Sequence, residues 1–432
     1  MRTFFPFPVN DIERFKHDLL QSAHLFEHFC FLDSNNYPDY PYSTFGSFFA
    51  IDAIASISVD KDCLKELESF RKKQQDWLFG YISYDVKNEI EPALSSHNHD
   101  GIQNPLLHFF VPKYLVKIEI GKIEIGIIGN DKHEQEISLT EFKQLLKKRE
   151  PVSDYPTLAN IQHRLSKQEY VTAVETIRQH IQRGAIYELN YCQEFYAEGA
   201  EIEPVRVFQK LNQLSKAPFS CYLKNKSRYL LCASPERFLK RIQNILVSQP
   251  IKGTRRRLQE VKQDKELMQE LFLDEKERSE NVMIVDLVRN DFSKVAQQDS
   301  VKVEELFGIY TFEQVHQMIS TISCTVNPDI SFSAIMQAIF PMGSMTGAPK
   351  MAAMRLIEKY ERTKRGLYSG CVGYITPKGN FDFNVVIRSI LYNEKAKYIS
   401  IQAGSAITID CVAEKEYEEC LLKAKAMMEA LQ

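Results

Sequence analysis

The sequence predicts an α+β architecture made mainly of antiparallel sheets. Strand-like and helix-like stretches are grouped rather than strictly alternating, which disfavours a doubly wound parallel sheet. Apolar residues alternate with polar ones through Val116, Ile118, Ile120, Ile123, Ile125 and Ile127, with Gly121 and Lys122 between them, the mark of an antiparallel hairpin. With 432 residues, 44% of them hydrophobic, the chain can fill a large core, in two or three domains or one composite.

Each element follows from local chemistry. Residues 77–85, Trp-Leu-Phe-Gly-Tyr-Ile-Ser-Tyr-Asp, look like a strand running into a turn. The charged, proline-bearing stretch 147–156 reads as a crossing, dividing an N-terminal module, 1–155, from a larger region, 156–432. Ser166 and Glu169 then spell a capping box. They open a helix with Tyr170, Val174, Ile177 and Ile181 on one stripe and Gly184 at its end. Residues 186–195, 222–231 and 238–247 read as strands, the last two bracketing a turn that carries Glu236. Pro250 ends the next ladder, which places Lys252 on a bend at a strand end beside Gly253. A helix is expected over 265–290 and a second over 332–340, broken at Pro341. The loop 342–348 leads into a third with Pro349 at its first helical position. Strands return at 370–376, 383–391 and 398–403. A last helix, 414–431, turns Tyr417, Leu421, Ala424 and Met428 inward.

Composition excludes several classes of function. A formal net charge of −3 is wrong for a protein whose main partner is a nucleic acid. No apolar run is long enough to span a bilayer and the first residues lack a signal-type apolar stretch, so a cytoplasmic protein is expected. Nine cysteines without paired spacing read as reduced core thiols rather than disulfides or a zinc site.

Residues suited to chemistry collect in a few places. The stretch 248–257, Ser-Gln-Pro-Ile-Lys-Gly-Thr-Arg-Arg-Arg, sets four cations beside a backbone shaped by Pro250 and Gly253, a place for an anion or a solvated basic turn. Glu277 with Glu280, and Glu416 with Glu419, are spaced so that each pair projects from one helical face. Such faces are often merely solvated. If the four converge, a cation must sit between them, and magnesium suits carboxylate oxygens. The loop before Pro349 offers free N–H groups to a carboxylate. Arg388, inside an apolar strand, needs an anionic partner, either a ligand or an internal ion pair. His316, in an apolar helix, is either a substrate contact or a hydrogen-bonded core residue.

Taken together, these residues resemble the chorismate-utilising enzymes, which include anthranilate synthase large subunits, aminodeoxychorismate synthase component I, and isochorismate and salicylate synthases. The resemblance runs from about Ser166 to Ala426 through motifs in the family's order: Gly184-Ala-Ile-Tyr-Glu-Leu-Asn190, Ser234-Pro-Glu-Arg237, Pro250-Ile-Lys-Gly-Thr-Arg255, Lys276-Glu-Arg-Ser-Glu-Asn281 with Asp286-Leu-Val-Arg-Asn-Asp291, Gly347-Ala-Pro-Lys350, Arg365-Gly-Leu-Tyr368, Val386-Ile-Arg388, Gln402-Ala-Gly404 and Glu416-Tyr-Glu-Glu-Cys-Leu-Leu-Lys423. The first third matches more loosely, through Gly80-Tyr-Ile-Ser-Tyr-Asp85.

The resemblance implies an anthranilate synthase component I-like fold, with sheets packed face to face and helices outside. It also implies a catalytic region at 156–432 that binds chorismate. Magnesium would sit at Glu280 and Glu419 with Glu277 and Glu416 close by. Substrate would meet Arg388, Tyr368, Lys423, His316 and the backbone around Gly404, Ser405 and Ala406, while Gly253 and Thr254 line the ring. Ser405 and Ala406 depart from the usual Gln-Ala-Gly-Ala-Gly. Within the family a lysine at 252 resembles the aminodeoxychorismate branch, where it is thought to add to the ring, with Glu236 as general acid or base. Burial and Arg255, Arg256 and Arg257 are expected to pull the Lys252 amine below its usual value so that it can attack. Glu188 stands where isochorismate-forming members carry a lysine that activates water, which argues against that reaction.

The implied activity is a Mg-dependent amination of chorismate to 4-amino-4-deoxychorismate, toward folate and para-aminobenzoate. Anthranilate synthesis and a non-catalytic chorismate-binding subunit are the alternatives. The stretch Ser369-Gly-Cys-Val-Gly373 is a poor amidotransferase elbow, so ammonia is expected from a separate glutamine amidotransferase subunit.

Overall fold

The computed structural model describes residues 2–37, 42, 46–119, 121–129, 131–146 and 157–432. Among these, twenty strands form one hydrogen-bonded sheet, and helices share apolar cores with it, the α+β arrangement expected. The crossing at 147–156 lies outside the described residues. Strand pairing runs over that point in the chain: His28–Asp33 pairs with Phe219–Asn225, and Leu78–Ile82 with Cys371–Ile375, both antiparallel. The hairpin about Gly121 forms from Leu107–Glu119 and Lys122–Ile128.

One antiparallel pair organises the rest. Strand Glu188–Glu198 runs beside Tyr398–Ile407 in unbroken register, from Glu198↔Tyr398 to Leu189↔Ile407. Gly404 permits this closeness, since a Cβ there would lie 2.2 Å from the Tyr191 carbonyl oxygen. Two helices share a core with the pair. Lys167–Gln182 begins with the full capping box of Ser166 and Glu169 and buries Tyr170, Val174, Ile177 and Ile181. Each such side chain removed from water is worth about 1.5–3 kcal/mol. Ala413–Ala430 buries Tyr417, Cys420, Ala424 and Met427, while Leu421 and Met428 are only half-buried. All nine cysteines are free and buried. No helix among the described residues is long and apolar enough to cross a membrane.

Several elements break where the sequence reads as continuous. Residues 222–231 are not one strand but the heart of a hairpin, Phe219–Asn225 and Arg228–Ser234. Residues 238–247 are another, Arg237–Ile242 and Ile245–Gln249. Both turn on two residues, the first of which, Lys226 or Gln243, has positive φ. Asn-Gly is the usual signature of such turns, and it is missing from both. The helix expected over 265–290 is two, Val261–Leu273 and Glu275–Ser293. Asp274 splits them and caps the second by accepting from the Glu277 N–H at 3.0 Å. The expected strand 383–391 breaks into Phe381–Asn384 and Ser389–Asn393, because Arg388 takes φ 53° and 385–388 leave the ladder. His316 lies in strand Val315–Thr325 rather than in a helix, and Pro349 caps helix Lys350–Tyr360 from outside its first turn.

Lys252 is also on a strand, Ile251–Arg256, and not on a bend past a strand end. The stretches before and after Pro250 both pair with Val315–Thr325. Between Ile251↔Ile319 and Thr254↔Gln317 the strand carries one residue too many. Gly253, at φ 87°, absorbs the excess. The result is a β-bulge that sets the direction of the Lys252 side chain.

Candidate active site

Four segments meet around Lys252. The bulged strand supplies the lysine and strand Glu188–Glu198 supplies Glu188. The turn between Arg228–Ser234 and Arg237–Ile242 supplies Glu236, and helix Glu275–Ser293 supplies Glu280. The Lys252 side chain is turned inward, 10% exposed, and its Nζ donates to Glu188 Oε1 at 2.5 Å and lies 3.7 Å from Glu280 Oε2. Glu188, Glu236 and Glu280 are all buried.

Charge in this pocket is balanced but strained by burial. Burial pulls the Lys252 amine down, but Glu188, Glu280 and Glu236 together outweigh it and hold the amine above its ordinary value. This reverses the expectation from the arginines. Arg255 is drawn away to Asp274, at 2.6 Å, and Glu277, at 3.3 Å, Arg257 to Asp264 at 3.1 Å, and Arg256 is exposed. Burial pushes Glu236 up to about 7 against the pull of Ser344 and Lys252, and pushes Glu280 up to about 7 against Lys252, with Glu188 adding to the rise. Lys252 therefore rests as an ammonium, while Glu236 keeps a proton into the neutral range.

The second acidic helix closes the far side. Lys276 spans the two helices, 3.8 Å from Glu280 and 4.0 Å from Glu416. Glu416 is buried, and burial raises its carboxyl despite a hydrogen bond from Ser405. Ser405 Oγ also lies 3.3 Å from the Tyr170 hydroxyl. The hydroxyl that departs from the family pattern thus points to the acidic helix and the core. Lys423 joins Glu419, at 2.6 Å, to the Gly404 carbonyl, at 3.0 Å. Its own carbonyl accepts from Arg388 at 3.1 Å. Arg388 is half-buried, and burial lowers its pKa against Tyr368 and Glu419. Tyr368 is buried with its hydroxyl 3.5 Å from Cys192 Sγ.

Remaining positions fall into two groups. Gly253 backs onto Glu277, where a Cβ would lie 3.2 Å from Oε2, while Thr254 is exposed and Ala406 half-buried. His316 is fully buried with its ring nitrogens taken by Thr311 and Asp264, each at 2.9 Å, which ties it to helix Val261–Leu273.

The four glutamates are of the ligand type a hard divalent cation takes, and each now faces a side-chain cation instead. Glu280 and Glu416 are buried carboxylates on facing helices that already share one cation, the Lys276 ammonium, and Glu277 and Glu419 lie a turn away on each helix. Among the described residues, no three acidic, histidine or cysteine side chains enclose a metal by themselves. Magnesium binds through one or two carboxylates with water and substrate completing the shell.

Residues 28–429 match the family described as chorismate binding enzyme. The chain belongs to this family. This chorismate binding enzyme is 30% identical over 367 residues to aminodeoxychorismate synthase component 1 of Bacillus subtilis (strain 168), covering 83% of this chain and 77% of that one. It is 32% identical over 369 residues to anthranilate synthase component 1 of Aquifex aeolicus (strain VF5), covering 82% and 74%. Its fold superposes on the crystal structure of anthranilate synthase component I from Streptococcus pneumoniae TIGR4 with a TM-score of 0.80 at 25% identity, covering 90% of this chain and 93% of that one. The menaquinone-specific isochorismate synthase from Escherichia coli matches with the same score at 17% identity over 100% and 94%, a likeness of fold alone.

Two roles were not expected from the sequence: Glu188, noted only as standing where isochorismate-forming members carry a lysine, is the partner of Lys252, and Lys276 reaches two acidic residues of the site. Glu188 opens a strand that also carries Asn190, Gln193, Glu194 and Glu198, so its local pattern does not single it out. Lys276, four residues before Glu280, carries the ordinary helical ion-pair spacing, which does not show that it also reaches another helix.

Proposed function

We propose that the chain aminates chorismate, giving 4-amino-4-deoxychorismate and water from chorismate and ammonia, toward para-aminobenzoate and folate. The observation that carries this reading is Lys252, buried at the end of a bulge with Glu188, Glu280 and Glu236 around it. A lysine so placed can add to the substrate ring. Its proton passes to Glu188, which already accepts from it at 2.5 Å. As the lysine nitrogen bonds to one end of the allylic system, the double bond shifts and the C4–O bond breaks. Glu236, held near 7, gives its proton to the departing hydroxyl, which leaves as water. Ammonia then bonds to C4, the double bond shifts back and Lys252 is released as the neutral amine; it retakes its proton from Glu188 while the new C4 ammonium gives one to Glu236.

Arg388, Tyr368, Lys423 and the backbone at Gly404 receive the substrate carboxylates in this reading, with Gly253 and Thr254 along the ring. Glu280 and Glu419, with Glu277 and Glu416 close by, would hold magnesium, which when bound neutralises charge on the substrate's carboxylate. Ammonia is delivered by a separate glutamine amidotransferase. The one stretch resembling an amidotransferase elbow puts Cys371 in a strand, fully buried, its thiol raised by burial.

The test is an incubation of purified protein with chorismate, ammonium and magnesium, with and without EDTA, and products identified by mass. Aminodeoxychorismate is the expected product. Anthranilate with pyruvate would instead align the chain with its Aquifex aeolicus relative, and binding without turnover would make it a non-catalytic subunit.

A further inference from the structure

Glu188 uses only one of its two oxygens. Oε1 accepts from Lys252, whereas Oε2 is buried and has no hydrogen-bond partner among the described residues. The residue as a whole is 1% exposed. Buried acceptors are nearly always satisfied, so one left open beside a reaction centre is a place for a donor brought by a ligand. The backbone that carries this carboxylate is fixed. It is pinned on one side by Ala348, its partner in the ladder, and Gly347 packs so closely that a Cβ would lie 2.1 Å from the Glu188 carbonyl oxygen.

We propose that Oε2 of Glu188 is the binding point for ammonia, the second substrate; this rests on the amination reading above. Chorismate itself is poorly suited to the position. Its carboxylates would be repelled there, and its only hydroxyl is the group that leaves toward Glu236. Ammonia has three N–H groups and one lone pair. Donating one N–H to Oε2 leaves the lone pair free to attack, and because Oε1 and Oε2 belong to one carboxylate, the nitrogen is held beside the Lys252 amine that it must replace. After Oε1 has taken the lysine proton, Oε2 is the carbonyl oxygen of a neutral acid and still accepts, though more weakly than a carboxylate.

The test is steady-state kinetics of the purified protein with chorismate, magnesium and ammonium as the sole nitrogen source, for wild type, Glu188→Gln and Glu188→Asp, with aminodeoxychorismate followed by mass. In Glu188→Gln the amide oxygen stays with Lys252 and its NH2 faces the ammonia. Turnover falls because the amide cannot take the lysine proton, and in what remains the KM for ammonia is expected to rise about tenfold or more while the KM for chorismate stays within about twofold. Glu188→Asp, which draws both oxygens back, should shift the same constant in the same direction. An unchanged ammonia KM in both variants, or loss of all turnover in both, assigns Glu188 to Lys252 alone and overturns the inference. If wild type itself makes no aminodeoxychorismate, it is the amination reading that has failed.

Discussion

Glu236→Gln is expected to make the protein more stable at high pH while crippling its chemistry. In the fold this carboxyl titrates near 7, against an ordinary 4.5. Between those values the folded chain holds a proton that the unfolded chain has lost, so stability falls as pH rises through the window. The full loss above pH 7 comes to about 3 kcal/mol, most of it incurred between pH 5 and pH 8. Glutamine keeps the shape and carries no charge to desolvate. Urea unfolding at pH 5 and pH 8 should therefore show a variant that gains on wild type as pH rises, by about 2 kcal/mol between the two conditions. Turnover should fall about 10²–10⁴-fold as proton donation to the leaving hydroxyl is lost. Unfolding midpoints displaced equally at both pH values would refute the claim that burial holds this carboxyl protonated.

Other expectations follow from the same geometry. Lys252→Ala should abolish aminodeoxychorismate or divert turnover toward anthranilate, read by product mass; undiminished aminodeoxychorismate would remove the lysine as nucleophile. EDTA should stop turnover and magnesium restore it, and Glu280→Gln should raise the magnesium needed for half-maximal activity about tenfold or more, because one of few carboxylate ligands is lost. Gly253→Ala puts a side chain at φ 87° with its Cβ 2.9 Å from Leu271, and should cost about 1–3 kcal/mol in urea unfolding together with a fall in kcat. Ser405→Ala removes the hydroxyl shared by Tyr170 and Glu416 and should cost about 1 kcal/mol, with kcat changed less than in any of the preceding variants.

Where local chemistry decides structure, the sequence was readable. The capping box at Ser166, the stripe from Tyr170 to Ile181 and the hairpin about Gly121 all form as written, because caps and periodic burial act within a few residues. The breaks were harder. Lys226 and Gln243 adopt left-handed backbone without the residues that usually announce it, and Arg388 leaves its ladder although its neighbours are apolar and β-branched. In each case partners distant in sequence override local preference: the Val385 N–H goes to the Glu236 carbonyl at 3.0 Å and that of Val386 to the Gly370 carbonyl at 2.8 Å. Among the site residues, the lysine on its bulge and the two acidic helices could be singled out by type and spacing. The protonation state of Lys252 could not, because adjacent arginines in sequence point away from it and a glutamate sixty-four positions earlier does not.

The pairing of Glu188–Glu198 with Tyr398–Ile407 also bears on how the protein comes to be made. A nascent chain that has emerged through the bulge at Lys252 still lacks the strand that flanks Glu188, and lacks the helix bearing Glu416, Glu419 and Lys423 as well. Until the ribosome has added about 155 further residues, an incomplete sheet edge stands open to other chains, and ladders that span such distances close slowly. Production of this protein should therefore be limited by aggregation of unfinished or recently released chains, and slowing translation or supplying chaperones should raise the soluble yield more than any change to the pocket.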